Sequence, residues 1–320
     1  MVDLYPPTSP YDHGFLETGD GNRIYYEQLG SPGGKPVLYV HGGPGAGAPK
    51  RPTRAWDPAC YRVIRFDQRN CGRSTPHASD PAADMSLNTT RHLIDDMERL
   101  REHLGVERWL LNGASWGSTL LLAYAQQYPE RVSEIIIQAV TMTRPTETHW
   151  LYRGAGLFHP EAWDRFRAGV PAAERDGDLL AAYARLMEHP DREVRRRAAA
   201  DWLAWEDAVI SDEPNGVPGM YSDREVDDQI AFVRICAHFF SNGAWLEPDQ
   251  LLRDAHRLAG IPGVLVHGRH DLGSPVQTAW ELAKAWPDAR LRIFEDSGHV
   301  GSEAMQAAVR EAIEEVKHRR

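Results

Sequence analysis

Apolar positions recur in two rhythms along the chain. Short runs rich in β-branched and aromatic residues occupy 23–29, 36–40, 61–66, 108–112, 134–140, 263–267 and 290–295, and these read as strands. Between the third and fourth, Leu93, Met97, Leu100 and Leu104 return at spacings of four, three and four. That spacing puts them on one stripe of a helix, with Asn88 as its N-cap. A further helical run, 118–127, follows the fourth strand. Strand and helix in alternation predict an α/β fold whose mainly parallel sheet is covered by helices on both faces, with ligands gathering at the carboxyl ends of the strands. The alternation stops after residue 140 and resumes near 261, and the stretch between holds helical patterns at 191–206 and 223–240 with no convincing strand. The expected organisation is a core of residues 1–140 and 247–320 with a helical cap inserted at 141–246. Trp150, Trp163, Trp202, Trp205 and Trp245 fall in that cap, where they either form an aromatic underside or pack its helices together. Arg192, Arg195, Arg196 and Arg197 run close to Asp191 and Glu193 and read as a solvated helix face.

Composition narrows the class. A chain of 320 residues can bury roughly three quarters of its unfolded surface, so it needs no disulfide or metal to hold a core. With 36 Lys and Arg against 46 Asp and Glu, the net charge of −10 opposes adhesion to nucleic acid or to an anionic membrane. Cys60, Cys71 and Cys236 are odd in number and unpaired in spacing, which argues against a disulfide framework or a zinc ribbon and for a reducing compartment. The opening residues carry Asp3, Pro6, Pro7, Pro10 and Asp12 where a secretion signal needs a basic start and an apolar run. The longest apolar runs, such as 134–138, fall far short of the roughly 18 residues of a membrane span. These features predict a cytoplasmic protein.

Candidate chemistry starts at Gly113-Ala114-Ser115-Trp116-Gly117, between the predicted strand 108–112 and the helix 118–127. A sharp strand-to-helix turn strains the central serine and lifts its hydroxyl above the sheet, and small flanking residues let neighbouring backbone pass closely. The following helix directs its positive N-terminal end at that hydroxyl. Serine needs a base, and the base needs an acid; on this fold class both follow the nucleophile, acid first. Asp271, just past the strand 263–267, and His299, just past the strand 290–295, sit where both would project onto the rim that carries Ser115. His267, His270 and Asp271 could also be read as metal ligands, but side chains at the end of one extended segment diverge, and no metal is expected. His41-Gly42-Gly43-Pro44-Gly45 follows the strand 36–40, and its unshielded amides suit an oxyanion hole made of the N–H groups of Gly43 and Trp116.

With those residues assembled, the chain resembles the proline iminopeptidase (prolyl aminopeptidase) family of α/β-hydrolases. The resemblance is carried along nearly the whole chain by five features: the 41–45 loop; Asp67-Gln68-Arg69-Asn70-Cys71-Gly72-Arg73-Ser74; the elbow at 113–119; Trp202-Leu203-Ala204-Trp205-Glu206; and the segments ending in Asp271 and His299. It implies the α/β-hydrolase fold, a triad of Ser115, Asp271 and His299, a cis peptide at Gly43-Pro44, and release of an N-terminal proline without a cofactor. It also implies that Glu206 holds the substrate's amino end. The family's second glutamate falls at Cys236, in Arg234-Ile235-Cys236-Ala237-His238-Phe239-Phe240, and Gln138 and Thr141 stand where an arginine and a phenylalanine are expected. The leading expectation is therefore a serine exopeptidase acting on short peptides. Cys236 favours the rival, an amidase or esterase acting on a small amide or ester, and a binding protein without turnover is the remaining alternative.

Overall fold

In the computed structural model, which describes residues 4–49 and 53–319, hydrophobic alternation along the central strands decides the layering. Leu111, Ile135, Ile137 and Leu265 enter one apolar cluster, while their neighbours Leu110, Ile136, Val264 and Val266 enter another. Successive side chains of a strand point to opposite faces, so each of these strands is buried on both sides. Among the described residues eight strands form one sheet: β1 (Pro10–Glu17), β2 (Arg23–Gly30), β3 (Lys35–Val40), β4 (Tyr61–Phe66), β5 (Trp109–Ser115), β6 (Val132–Val140), β7 (Gly263–Gly268) and β8 (Ala289–Phe294). Their spatial order is β1-β2-β4-β3-β5-β6-β7-β8, antiparallel where β2 meets β1 and β4 and parallel elsewhere. The seven expected strands all form. β1 is an addition, a mostly exposed edge strand whose Pro10, Asp12 and Gly14 conceal it in the sequence.

Helices α1 (Thr90–His103) and α2 (Trp116–Gln127) supply Leu93, Met97, Leu100, Leu120 and Leu121 to the first cluster. The N-cap of α1 is Thr89, whose hydroxyl accepts from the His92 amide, and not Asn88. Asn88 is instead buried, donating to Arg69 O at 3.2 Å and Asn70 Oδ1 at 2.9 Å, so its amide holds the turn after β4.

Between β6 and β7 the chain forms α3 (Pro145–Tyr152), α4 (Pro160–Ala168), α5 (Leu179–Met187), α6 (Arg192–Ser211), α7 (Val226–Ser241) and the short α8 (Gln250–Arg253). Tyr152, Phe166, Tyr183, Trp202, Trp205 and Phe232 knit the first five into a cluster of their own. Ala244, Leu251 and Leu258 return to the cluster of the sheet. Of the basic run on α6, Arg195 is buried and donates to Ser79 O, while its neighbours are exposed or half-buried. Last come α9 (Val276–Ala285), packed with the first cluster, and α10 (Glu303–Val316), which closes the opposite face with Met305, Val309 and Ile313. Among the described residues no helix is long and apolar enough to cross a membrane.

Candidate active site

Ser115 ends β5 with φ 55° and ψ −132°, a conformation that costs an ordinary side chain free energy and persists only where its surroundings fix it. What fixes it is close packing of two glycines against β3. A Cβ on Gly117 would lie 2.2 Å from Val40 O, and one on Gly113 would lie 2.8 Å from the same oxygen. The start of α2 can therefore press against the end of β3, bringing the 41–45 loop beside the serine.

That loop is anchored from β4. Gln68 donates through Nε2 to His41 O at 2.9 Å, its own amide donates to His41 Nε2 at 3.0 Å, and its Oε1 accepts from Trp116 Nε1 at 3.0 Å. Burial lowers the His41 pKa, in keeping with a neutral ring that accepts through Nε2. Gly43 lies at φ 115° and the Gly43-Pro44 peptide is cis. Gly43 and Trp116 both line the cavity that holds Ser115.

Asp271 and His299 meet from the ends of β7 and β8. His299 Nδ1 lies 3.0 Å from both carboxylate oxygens of Asp271, and Asp271 Oδ1 also accepts from the Ser274 amide at 2.6 Å. Burial disfavours the charged imidazole, but the charge and hydrogen bond of Asp271, helped by Glu213 and Glu206, outweigh it and raise the His299 pKa to about 9. His267 is committed elsewhere: Nδ1 accepts from the Val140 amide at 3.0 Å and Nε2 donates to Ser274 O at 2.8 Å. With both nitrogens used, it is a support for the Asp271 turn.

Ser115 and His299 face one cavity, whose wall α3, α6, α7 and the segment between α6 and α7 complete with Leu151, Tyr152, Glu206, Ile210, Tyr221 and Phe240. The aromatic surface that these helices turn to the cavity is thus tyrosine and phenylalanine; Trp202 and Trp205 are buried in the cluster shared by α3–α7 and hold those helices together. Glu206 is 6% exposed, and its Oε1 accepts from Tyr152 Oη at 2.6 Å and Trp202 Nε1 at 2.7 Å. Burial raises its pKa to about 7, although both hydrogen bonds favour the carboxylate. It is a partly satisfied acid with a free oxygen edge in an apolar wall.

One expectation needs correction. Cys236 does not line the cavity: it is fully buried, and its thiol donates to Pro44 O at 3.2 Å, so it braces the 41–45 loop from α7. Burial, with the charge of Glu206, pushes that thiol's pKa well up. Gln138 likewise turns away, meeting Gln306 of α10 at 3.2 Å, whereas Thr141 reaches the cavity wall and donates to Glu147 Oε2 at 2.9 Å. The sequence did not point to Glu213, whose carboxylate accepts from the amides of Leu272 and His299, each at 2.5 Å. Its partners are main-chain groups, which leave no signature in the sequence.

The α/β-hydrolase fold model matches residues 35–303. A probable proline iminopeptidase of Streptomyces coelicolor is 47% identical over 315 residues, covering 96% of this chain and 97% of its own. The proline iminopeptidase of Neisseria gonorrhoeae is 41% identical, with 98% of each chain covered. Among solved structures, a proline iminopeptidase from Mycobacterium smegmatis superposes with a TM-score of 0.59 over 96% of this chain and 99% of its own, and VinJ with 0.61 over 97% and 99%. Both are 20% identical and speak to the fold alone. On the sequence matches, the chain belongs to the proline iminopeptidase family of α/β hydrolases.

Proposed function

We propose that the protein is a cytoplasmic serine exopeptidase that releases proline from the amino end of short peptides, with residues 141–246 as a cap over a core of 1–140 and 247–320. The observation that carries this reading is a strained Ser115 and an Asp271-braced His299 on one cavity whose wall also holds the buried carboxylate of Glu206. Ser115 Oγ attacks the prolyl carbonyl carbon while its proton passes to His299 Nε2, and the N–H groups of Gly43 and Trp116 receive the oxyanion. Collapse breaks the peptide C–N bond, and His299 returns the proton to the leaving amine. Water, deprotonated by the same nitrogen, then hydrolyses the prolyl ester and frees Ser115. Glu206 selects the substrate by pairing with its secondary ammonium, a charge-assisted bond worth about 1.5–3 kcal/mol. Free, buried thiols at Cys71 and Cys236 support the reducing setting.

A second reading, an amidase or esterase for a small neutral substrate, is favoured by Cys236, since a thiol bound to Pro44 O leaves the amine without a second carboxylate from α7. Wild type and Ser115→Ala should be compared on prolyl, alanyl and N-acetyl-prolyl anilides and on aryl esters. Prolyl anilide should be the best amide, N-acetylation should abolish its turnover, and Ser115→Ala should lose on the order of 10⁶ in kcat. Equal turnover of free and acetylated anilides would hand the lead to the second reading, and residual activity above about a hundredth would remove Ser115 as nucleophile.

A further inference from the structure

We infer that Glu213 is a positioning residue for the reaction, a third acid beside the Asp271–His299 pair that clamps both their loops to the cap and sets the charge around His299. The inference rests on the proposed hydrolase reading. Glu213 lies just past the end of α6, and its carboxylate enters the gap between the turns after β7 and β8. Oε1 accepts from the Leu272 amide at 2.5 Å and the Gly273 amide at 3.3 Å; Oε2 accepts from the His299 amide at 2.5 Å. Leu272 follows the acid and His299 is the base, so one side chain fixes the backbone of both. The neighbouring residues repeat the attachment: Pro214 O accepts from the Gly298 amide at 3.2 Å, and Asn215 Nδ2 donates to Asp296 O at 2.7 Å. The fit is close, since a Cβ on Gly298 would fall 2.3 Å from Glu213 Oε2.

Hydrogen bonding alone does not account for a carboxylate here. Glu213 is 5% exposed and forms no ion pair with Lys or Arg among the described residues, so its charge is costly to bury. Three amides could be served by a neutral acceptor. What the negative charge adds is its effect on the imidazole, which must become a cation as Ser115 gives up its proton. Burial and the charge of Asp271 raise the Glu213 pKa to about 7, and Glu213 in turn helps to raise His299. The other groups facing His299 are Asp271 from the β7 turn and Glu206 from α6, with His267 Nε2 3.6 Å from Asp271 and Tyr221 on the cavity wall. Burial lowers the His267 pKa and raises that of Tyr221, so both are neutral at operating pH.

The test uses a neutral aryl ester, so that Glu206 has no ammonium to bind, together with fluorophosphonate labelling of Ser115. Glu213→Gln keeps the volume and one oxygen but removes the charge and turns an N–H towards an N–H. It should lower kcat on the plateau by about 10- to 100-fold with KM changed by less than about twofold, and move the acid limb of kcat/KM down by at least about half a pH unit. Glu213→Asp keeps the charge at shorter reach, so its limb should stay near that of wild type while kcat falls. A limb that stays put in Glu213→Gln, with Ser115 still labelled, reduces Glu213 to a loop fastener and overturns the inference. If the glutamine variant does not fold, unchanged kcat in Glu213→Asp overturns it equally. Failure of the wild-type serine to react with the fluorophosphonate overturns the hydrolase reading itself, which the variants cannot mimic.

Discussion

A carboxylate in an apolar wall is a pH-dependent hook, and Glu206 is placed to act as one. Burial holds its pKa at about 7, so the unliganded side chain is protonated below that value and charged above it. Capture of an ammonium should therefore weaken as the pH falls through 7: KM for a prolyl anilide rises, while KM for an aryl ester, which has no charge to pair, stays level. A parallel rise for both substrates would detach Glu206 from the amine. Among single residues, Ser115, Asp271 and His299 were legible because their chemistry demands positions at strand ends, and those positions follow from periodicity and turn residues. Glu206 came through the likeness to a family. Glu213 stayed hidden because it works on backbone amides, and Cys236, placed in the site only by its match to the family's second glutamate, turns instead to Pro44 O, because a small thiol in place of a carboxylate can pack against the 41–45 loop.

At the level of elements, short runs of β-branched and aromatic residues identified the strands, which are buried on both faces and so carry near-continuous apolar runs, and spacings of three and four identified α1, so the sheet that aims the site was readable. The exceptions have local causes. β1 is half-solvated at the sheet edge and carries turn-forming residues, and α1 begins one residue later than expected because Asn88 serves the preceding turn while Thr89 takes the cap. The junction of β5 and α2 is where element packing meets chemistry. Gly117 brings the first turn of α2 against β3 so closely that an added methyl would overlap Val40 O, a backbone atom that cannot rotate aside. Gly117→Ala should destabilise the fold by roughly 1–3 kcal/mol through overpacking and also disturb the Trp116 amide proposed to receive the oxyanion. The measurements are thermal melting and the rate of fluorophosphonate labelling at a temperature where the variant is folded. A variant with unchanged melting would mean that α2 can retreat from β3 without cost.

The sheet, with an apolar cluster on each face, and the separate cluster of α3–α7 close over a pocket that buries acids, and that arrangement has an energetic consequence. Glu206 rises from an ordinary 4.5 to about 7, Glu213 rises likewise to about 7, and His299 rises from 6.5 to about 9. A group whose pKa is higher folded than unfolded stabilises the fold below its unfolded value, and that contribution is lost as the pH climbs through its folded value. All three therefore make stability fall between about pH 4.5 and pH 9, whereas the paired carboxylates of half-buried Glu281 and exposed Glu295, whose pKa values are lowered, contribute stability that is lost only as the pH falls below about 4.5. Glu206 can be separated from the others because its glutamine analogue keeps an oxygen for Tyr152 and Trp202. Holding that buried carboxyl at about 7 instead of 4.5 corresponds to about 3 kcal/mol of strain carried at alkaline pH and absent near pH 4. Glu206→Gln should therefore melt higher than wild type at pH 8.5 by several degrees, with little or no gain at pH 4.5, while losing its advantage for amine substrates, the exchange of stability for activity expected of a binding acid. The check is a pair of melting curves at the two pH values, with the reaction measured on prolyl anilide and aryl ester. A gain of the same size at both would mean that the substitution improves packing and that the charge of Glu206 does not strain the fold.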